Sequence, residues 1–295
     1  MKNTTPVRLN PECIRCLIPK RLEFCPEGAT RKQQVEYMQK VMKLASEATP
    51  DISAPVLDRD IARLQREIFG YEKDYEELKA YFNNLMLGKE AEIEAKVHAS
   101  EDPLKSAIQY AMMGNYIDFG AIQNVNETAL AEFINNAPDI EVHEPTYHEL
   151  KQEILTSHKM VYLVDNCGEV VMDKILIRTI QMMNPELEIT VIVRGVPVLN
   201  DVTMKEAKQV GLDKLAKVID NGNNIPGTWL DEISEEASRE IEEADFVISK
   251  GQGNFETLQQ CGKNIYYIFM CKCDMFANRF GVPKFSGMLL NDKKL

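Results

Sequence analysis

From residue 160 onward the sequence alternates between short apolar runs and longer stretches with helical periodicity, and no other feature constrains the fold as strongly. The strand-like runs lie at 161–165, 189–193, 217–220, 246–249 and 265–270. Helical patterns separate them at 170–183, 202–210, 230–243 and 254–261. Strands that alternate with helices indicate a parallel sheet covered by helices. We therefore predict a Rossmann-like α/β catalytic domain over residues 156–295, with helices on both faces of the sheet.

The first 155 residues have a mainly helical pattern instead. Apolar residues recur every three or four positions, as on one face of a helix: Val35, Met38, Val41, Met42 and Ala45, then Ile61, Leu64 and Ile68, then Tyr75, Leu78, Tyr81, Phe82 and Leu85. Residues 90–98 predict a charged, solvent-facing helix, and 104–113 a buried helix that Gly114 can cap. We predict that residues 1–155 form a helical region covering the site.

Composition excludes several classes of function. The 295 residues carry a net charge of −12, which disfavours nucleic acid as a partner because phosphate binding needs Lys and Arg. No run reaches the roughly 18 apolar residues of a membrane helix, and the N-terminus lacks the apolar core of a signal peptide. Seven cysteines are an odd number in a chain too large to need disulfides. We expect reduced thiols and a cytoplasmic protein with no membrane partner.

Polar residues follow four of the predicted strands directly. They are Asp165, Asn166 and Glu169, then Arg194, Gly195, Pro197, Asn200 and Asp201, then Asp220 and Asn221, and finally the run Lys250-Gly-Gln-Gly-Asn254. Right-handed crossovers bring the carboxyl ends of parallel strands to one edge, where open α/β sheets bind ligands. Asp165-Asn166 alone also favours a simple turn. The clustering at four strand ends indicates a site.

The residue types at these strand ends suit metal-assisted phosphate chemistry. Asp165, Asn166 and Asp201 offer hard oxygen ligands for Mg, Mn or a similar divalent ion, which could activate a water. Glu169 could orient that water or a substrate hydroxyl. Lys250 and the glycine-rich turn after it are typical of anion binding, and Arg194 could balance further phosphate charge. The simplest reaction that these parts support is hydrolysis of a phosphate ester.

The cysteines and one polar turn leave alternatives open. Cys13-x-x-Cys16 has the spacing of a zinc or redox pair, but packed thiols and chance explain it as well. Cys167, which is next to the Asp-Asn pair, has acidic neighbours and is interpreted as a packing residue. Asn115 and Asp118 lie among apolar residues and are either a satisfied turn or part of a site.

The polar motifs resemble those of the metal-dependent damage-control phosphatases, a family first catalogued as a domain of unknown function. The motifs in question are Asp165-Asn166-x-Gly-Glu169, Arg194-Gly-x-Pro197-x-x-Asn200-Asp201-Val-Thr203 and Ser249-Lys250-Gly-Gln-Gly-Asn254-Phe-Glu256. Cys13-x-x-Cys16, Gly114-Asn115-x-Ile-Asp118-Phe-Gly120 and Lys272-Cys273 resemble the family's prokaryotic subgroup. Because the matches span nearly the whole chain in the same order, the resemblance is specific.

The resemblance implies a fold and an activity. Members of this family combine an N-terminal helical region with a Rossmann-like domain, and they hydrolyse sugar phosphates or damaged phosphometabolites using Mn, Co, Ni or Mg. By resemblance, Asp165, Asn166 and Asp201 are the metal ligands, and they form the catalytic set together with Glu169, which also matches a position that touches substrate. The residues expected to bind the small phosphorylated metabolite are Lys250, Gly251, Gly253, Asn254, Arg194, Asn200, Asn115 and Asp118.

Two other hypotheses fit the same sequence. In the first, the pocket binds a phosphometabolite without catalysing its hydrolysis. In the second, Cys13, Cys16 and Cys273 converge on zinc or a redox partner, which is compatible with either function of the pocket. The sequence leaves the substrate, the metal and the oligomeric state open.

Overall fold

The computed structural model describes residues 8–70, 73–115, 132 and 134–295. Within them a single six-stranded sheet is formed by β1 (Lys159–Leu163), β2 (Glu188–Val193), β3 (Lys217–Asp220), β4 (Phe246–Lys250), β5 (Ile265–Met270) and β6 (Gly287–Asn291). The strand order is β3-β2-β1-β4-β5-β6. The first five strands are parallel, and β6 pairs antiparallel with β5. The order reverses between β1 and β4, and such a switch point opens a crevice at the carboxyl ends of the two strands.

The predicted α/β class with a Rossmann-like sheet is confirmed. All five predicted strands exist, with ends within two residues of the prediction. The antiparallel β6 was not predicted, because its Met-Leu-Leu core consists of residues that favour helices as readily as strands. The short helix before it, Asp274–Phe280, was missed as well.

Helices cover both faces of the sheet. They are α1 (Pro11–Lys20), α2 (Arg31–Glu47), α3 (Ala54–Phe69), α4 (Glu76–Leu87), α5 (Glu90–Ala99), α6 (Pro103–Gly114), α7 (Glu144–Thr156), α8 (Glu169–Met183), α9 (Met204–Gln209), α10 (Glu235–Glu243), α11 (Gln252–Leu258) and α12 (Asp274–Phe280). Met160 and Tyr162 of β1 pack into a core with α4 to α8 on one face. Val161 and Leu163 point the opposite way, into a core with α10, α11 and α12. This alternation follows from the two-residue period of a strand.

The packing divides the chain differently from the predicted boundary at residue 155. Helices α4 to α7 share one hydrophobic core with the sheet, whereas α1 to α3 enclose a small core of their own around Tyr37, Val41 and Ile61. Helix α3 contacts the segment after β3, where Val56 packs with Ile225 and Trp229 and Arg59 forms an ion pair with Glu232. Through α3 the first three helices therefore pack against the carboxyl-end loops of the sheet. The two-part division itself stays a prediction.

Several details of the predicted helices were wrong. Helix α2 buries Tyr37, Val41 and Ala45, whereas Val35 and Met42 are exposed. The charged helix predicted at 90–98 is α5; most of it faces solvent as expected, and it also buries Ile93 and Val97 against the core. Tyr81 of α4 is exposed, and Gly114 is the last residue of α6 rather than its cap. In the part of the chain that the structure describes, no helix is both long and apolar enough to cross a membrane.

A buried carboxylate on α10 gives a test of the fold that is independent of the site. Burial alone would raise the pKa of Glu240, but hydrogen bonds from Lys217, Lys159 and Thr190 lower this pKa to about 2. A carboxyl group whose pKa is lower in the folded than in the unfolded protein stabilises the fold at pH values above its unfolded-state pKa. This contribution disappears as the pH falls through the folded-state pKa. We expect Glu240→Gln to cost roughly 1–2 kcal/mol at pH 7, since hydrogen bonds to charged groups contribute about this much.

Urea unfolding of the wild type and Glu240→Gln at several pH values checks this prediction. The difference in unfolding free energy should shrink as the pH falls below about 4.5, towards the folded pKa of about 2. A difference that stays constant with pH would contradict the ion-pair explanation.

Candidate active site

Backbone hydrogen bonds hold the segments after β1 and β2 side by side. The amide of Val202 donates to the Asp165 carbonyl at 2.9 Å, and the amide of Cys167 donates to the Asn200 carbonyl at 2.9 Å. Asn166 and Asp201 form an isolated antiparallel bridge between these bonds. Asp165-Asn166 is therefore paired with a second segment and is not a simple turn. The three predicted metal ligands come together because the chain beyond β2 folds back against β1.

Arg194 lies between the two predicted carboxylate ligands. Its Nε donates to Asp201 Oδ2 at 2.6 Å, and its Nη2 lies 3.5 Å from Asp165 Oδ1. The side chain is 2% exposed, and Nη1 is held by Thr228 and Asn254 at 3.3 and 3.2 Å. Because four neighbours fix this guanidinium, the carboxylates that face it have fixed positions as well.

Two asparagine amides point their NH₂ groups at carboxylates. Asn166 Nδ2 donates to Asp165 Oδ2 at 2.6 Å and to Glu169 Oε2 at 2.9 Å. Asn115 Nδ2 donates to the same two oxygens, at 3.1 and 2.9 Å, and its Oδ1 accepts from the amide of Met270. The Asn166 amide is thus turned so that its Oδ1 is available as a metal ligand. Asn115 joins the predicted site, whereas Asp118 lies outside the described residues.

Lys250 is completely buried and bonds only to protein acceptors. Its Nζ donates to Glu169 Oε1 at 2.6 Å, to Asp173 Oδ1 at 2.6 Å and to the Ala111 carbonyl at 2.9 Å. An ammonium has three donors, and all three are used here. The predicted contact between Lys250 and substrate would require one of these bonds to break. In this structure Lys250 instead supports Glu169.

Asp173 is a buried member of this cluster that the sequence analysis did not identify. Its Oδ1 accepts hydrogen bonds from Lys250 and from the hydroxyl of Tyr162, the latter at 2.8 Å. A signal was present, because Asp173 follows Glu169 by four residues and therefore shares its helix face. It also interrupts an otherwise apolar stretch of α8. The sequence analysis gave residues 170–183 only as a helical pattern.

The glycine-rich turn after β4 lets the backbone approach Asp165 closely. Gly251 has φ +81°, and a Cβ at this position would lie 2.0 Å from Asp165 Oδ2. A Cβ on Gly253 would lie 2.2 Å from the Pro226 carbonyl oxygen. The Gly251 amide donates to the Ile268 carbonyl, so this amide is occupied, and the predicted anion contact of the turn stays a prediction. Asn254 uses its amide to join Arg194, Thr228, Val164 and Lys250.

Acidic groups outnumber cations in the buried cluster. Asp165, Asp201, Glu169 and Asp173 are four carboxyl groups; Arg194 and Lys250 bond to them, and the Lys272 ammonium also acts on Asp165. Burial raises the pKa of Asp165 well above its usual range, and the carboxylates of Asp201 and Glu169 add to this effect. Buried charge is costly unless it is paired or coordinates a metal. Two carboxyl groups and one amide oxygen side by side fit a divalent cation.

Two buried donors beside the carboxylates have no hydrogen-bond acceptor among the described residues. They are Arg194 Nη2 and Asn200 Nδ2, on side chains that are 2% and 5% exposed. Asn200 Nδ2 has no partner within the described part of the chain, and Arg194 Nη2 has only its 3.5 Å ion pair with Asp165 Oδ1. Buried donors that make no hydrogen bond are rare, and each one calls for an explanation. Donors of this kind next to a cation site fit an anionic ligand.

The cysteines take no part in this cluster. Cys167 is fully buried and its thiol packs in the core, as predicted; burial, more than the acidic neighbours, raises its pKa. Cys13, Cys16 and Cys273 are all unpaired. Cys13, Cys16 and Cys273 nevertheless lie close together, since Cys16 and Cys273 add to the rise that burial causes in the pKa of Cys13. Across the described ranges, no group of three or more His, Cys, Asp or Glu side chains has the arrangement of a metal site, so their convergence on zinc stays a prediction.

Two glycines with the same backbone φ angle provide a matched test of the close approach of the chain to Asp165. Gly251 and Gly262 both have φ +81°, but a Cβ on Gly262 would meet nothing within 4 Å. Both alanine variants cost about 1–3 kcal/mol of backbone strain, because a positive φ is unfavourable for an L side chain. We expect Gly251→Ala to lose at least about 1–3 kcal/mol more, because its methyl group overlaps the Asp165 carboxylate. Denaturant unfolding measures both losses, and equal losses would show that the contact with Asp165 is unimportant.

A protein-family model, the damage-control phosphatase ARMT1-like domain, matches residues 9–287. Among relatives, a damage-control phosphatase of Archaeoglobus fulgidus is 30% identical over 288 residues, which are 94% of this chain and 96% of that protein. The damage-control phosphatase PH1575 of Pyrococcus horikoshii is 32% identical over 188 residues, covering 63% of this chain and 64% of the other. An uncharacterised protein of Methanocaldococcus jannaschii is 29% identical over 294 residues, covering 96% of this chain and 95% of that protein.

The fold agrees with this assignment. The crystal structure of PH1575, described as a DUF89-family protein, superposes with a TM-score of 0.82 at 27% identity, covering 97% of this chain and 99% of the other. The resemblance drawn from the motifs is thereby confirmed, and the chain belongs to the damage-control phosphatase family with an ARMT1-like domain.

Proposed function

We propose that the protein is a metal-dependent phosphatase that hydrolyses small phosphate esters, with the carboxyl ends of β1 and β2 as its active site. The observation that carries this proposal is the buried arrangement of Asp165, Asn166 and Asp201 around Arg194. It provides oxygen ligands for a cation and donors for an anion in one place. Members of the family are named as phosphatases, which supports the same reaction class.

The proposed metal ligands are Asp165, Asn166 and Asp201. Mn, Co, Ni and Mg all accept such oxygen-rich sets, so the donor types do not distinguish among them. A divalent ion held there would act as a Lewis acid towards a phosphoryl oxygen and would lower the pKa of a bound water. The chain's own contribution is to hold the ligand oxygens in place before the substrate arrives. Arg194, Asn115 and Glu169 do so through the hydrogen bonds described above.

The proposed phosphate contacts are Arg194 Nη2 and Asn200 Nδ2. Both donors are buried and make no hydrogen bond among the described residues, Arg194 Nη2 having only its 3.5 Å ion pair with Asp165 Oδ1; phosphoryl oxygens are strong acceptors that would satisfy both. Donors fixed in advance stabilise the charge that develops during phosphoryl transfer without having to reorganise. Lys250 and Glu169 lie behind the proposed metal ligands. There the Lys250 ammonium neutralises the Glu169 carboxylate, which in turn orients the Asn166 amide.

The substrate class that we propose is a small phosphorylated metabolite, such as a sugar phosphate or a damaged phosphometabolite. Helices α1 to α3 pack against the carboxyl-end loops and are the proposed source of specificity, together with Asn115 and Asp118. Seven unpaired cysteines support the reducing cytoplasm as the site of action.

Phosphate release from p-nitrophenyl phosphate and a panel of sugar phosphates tests the proposed reaction. Each of Mn²⁺, Co²⁺, Ni²⁺ and Mg²⁺ is supplied in turn to metal-free protein. We expect turnover to require a metal and Asp201→Asn to lower kcat/KM by at least about 100-fold, because metal ligands stabilise the transition state by several kcal/mol. Asparagine keeps the shape of the side chain next to Arg194, and thermal unfolding confirms that the variant is folded.

Glu240→Gln serves as the control, since this buried carboxylate lies on α10 outside the site. It should retain wild-type kcat/KM. Absence of turnover with every metal would contradict the proposed enzyme. If phosphate esters still raised the melting temperature in that case, the alternative of a non-catalytic phosphometabolite-binding protein would replace it.

A further inference from the structure

Asp173 lies in α8, one turn beyond Glu169, and contacts none of the three proposed metal ligands. Its side chain is completely buried, and its partners are the Lys250 ammonium and the Tyr162 hydroxyl. Burying a carboxylate is costly, and a buried ion pair is often no better for stability than apolar residues of similar size. The second oxygen, Oδ2, has no hydrogen-bond donor among the described residues. Stability alone is thus a weak reason for a carboxylate at this position.

The hydrogen bonds that start at Asp173 lead to the proposed metal site in three steps. Asp173 holds Lys250 Nζ at 2.6 Å, and Lys250 Nζ holds Glu169 Oε1 at 2.6 Å. Glu169 Oε2 then accepts from the Nδ2 of Asn166 and of Asn115, both at 2.9 Å. An amide whose NH₂ is fixed in this way must present its oxygen on the other side. The orientation of the Asn166 ligand oxygen therefore depends on where the Glu169 carboxylate is held.

We propose that Asp173, anchored by Tyr162, is a positioning residue that fixes the Lys250 ammonium and through it the Glu169 carboxylate, so that Asn166 presents its oxygen to the metal. This inference rests on the proposed function, since it assigns a role to a residue that supports that metal site. Asp173 touches neither the metal ligands nor the substrate position. Its influence passes through two other side chains.

The charges of the neighbouring groups fit this role, although burial raises the pKa of Asp173 itself to about 7 against the lowering effect of the Lys250 ammonium. Burial lowers the pKa of Lys250, but the carboxylates of Asp173 and Glu169 raise this pKa above its usual value. The ammonium therefore stays charged. Burial and the adjacent Asp173 carboxylate raise the pKa of Tyr162 well above its usual value, so its hydroxyl stays protonated and donates. Glu169, Lys250 and Tyr162 are the titratable groups that face Asp173, and they come from α8, β4 and β1.

Two substitutions separate positioning from charge. Asp173→Asn removes the negative charge and replaces the ionic anchor of Lys250 with a weaker, neutral acceptor. Tyr162→Phe keeps every charge and the aromatic ring, and it removes only the hydroxyl that anchors Asp173. Glu240→Gln is the matched control, because it also removes a buried carboxylate that is bonded to lysine, but on a helix away from the site.

The readout is the dissociation constant of Mn²⁺ from the otherwise metal-free protein, measured by electron paramagnetic resonance of the free ion. Outer-sphere partners of metal ligands typically change metal affinity by about 10–100-fold. We expect the dissociation constant to rise roughly tenfold in Asp173→Asn and roughly threefold in Tyr162→Phe. These changes are at or below the lower end of that range because the effect passes through Lys250. Glu240→Gln should leave it unchanged. Thermal unfolding confirms that each variant is folded at the temperature of the measurement.

The outcomes separate this inference from the proposed function. If the wild type binds Mn²⁺ and both Asp173→Asn and Tyr162→Phe bind it equally well, Asp173 serves stability alone and the inference is wrong. Weaker binding in Asp173→Asn but not in Tyr162→Phe would also overturn it, because long-range charge would then explain the loss. If Asp173→Asn fails to fold, Tyr162→Phe decides. A wild type that binds no Mn²⁺ would remove the proposed metal site and this inference together.

Discussion

The excess of acidic groups over cations in the crevice between β1 and β4 is the constraint on which the rest of the site depends. Asp165, Asp201 and Glu169 lie within one buried network. Their carboxylates repel one another strongly there, because less water screens their charges than at the surface. Arg194 and Lys250 offset part of this charge from two sides. The metal ion that we propose would offset part of the cost of burying these carboxyl groups, and the buried hydrogen bonds hold their oxygen atoms in fixed positions for it.

The architecture supplies the fixed positions. The parallel strands end together, the segment after β2 pairs with the segment after β1, and Gly251 lets the chain after β4 pass against Asp165. Helices α6 and α8 are part of the same core as the sheet, and they contribute Asn115 and the Glu169–Asp173 face. Side chains that are held by rigid helices and strands are positioned more accurately than side chains on loops. Two layers follow from this arrangement: Asp165, Asn166 and Asp201 at the proposed metal site, and Glu169, Lys250 and Asp173 beneath them.

Much of this arrangement could be predicted from the sequence, and the physical reasons for success and failure differ. Apolar runs such as 189–193 fix the strands because they must be buried on both faces, and the connection rule then places Asp165 and Asp201 at one edge. The role of Lys250 could not be predicted, since its partners come from α6 and α8, and helical periodicity does not reveal which distant groups meet. Asp173 was not identified because it lies within residues 170–183, for which the sequence indicated only a helix. The edge strand β6 was missed because its residues carry little strand preference.

The most direct test of the central claim is the number of Mn²⁺ ions that the metal-free protein binds, determined by equilibrium dialysis and elemental analysis. The comparison is between the wild type and a double variant with Asp165→Asn and Asp201→Asn, which keeps the side-chain shapes and removes two negative charges. The account predicts one ion per chain in the wild type and none in the variant at the same free concentration. A wild type without bound Mn²⁺, or a folded variant that retains it, would contradict the account.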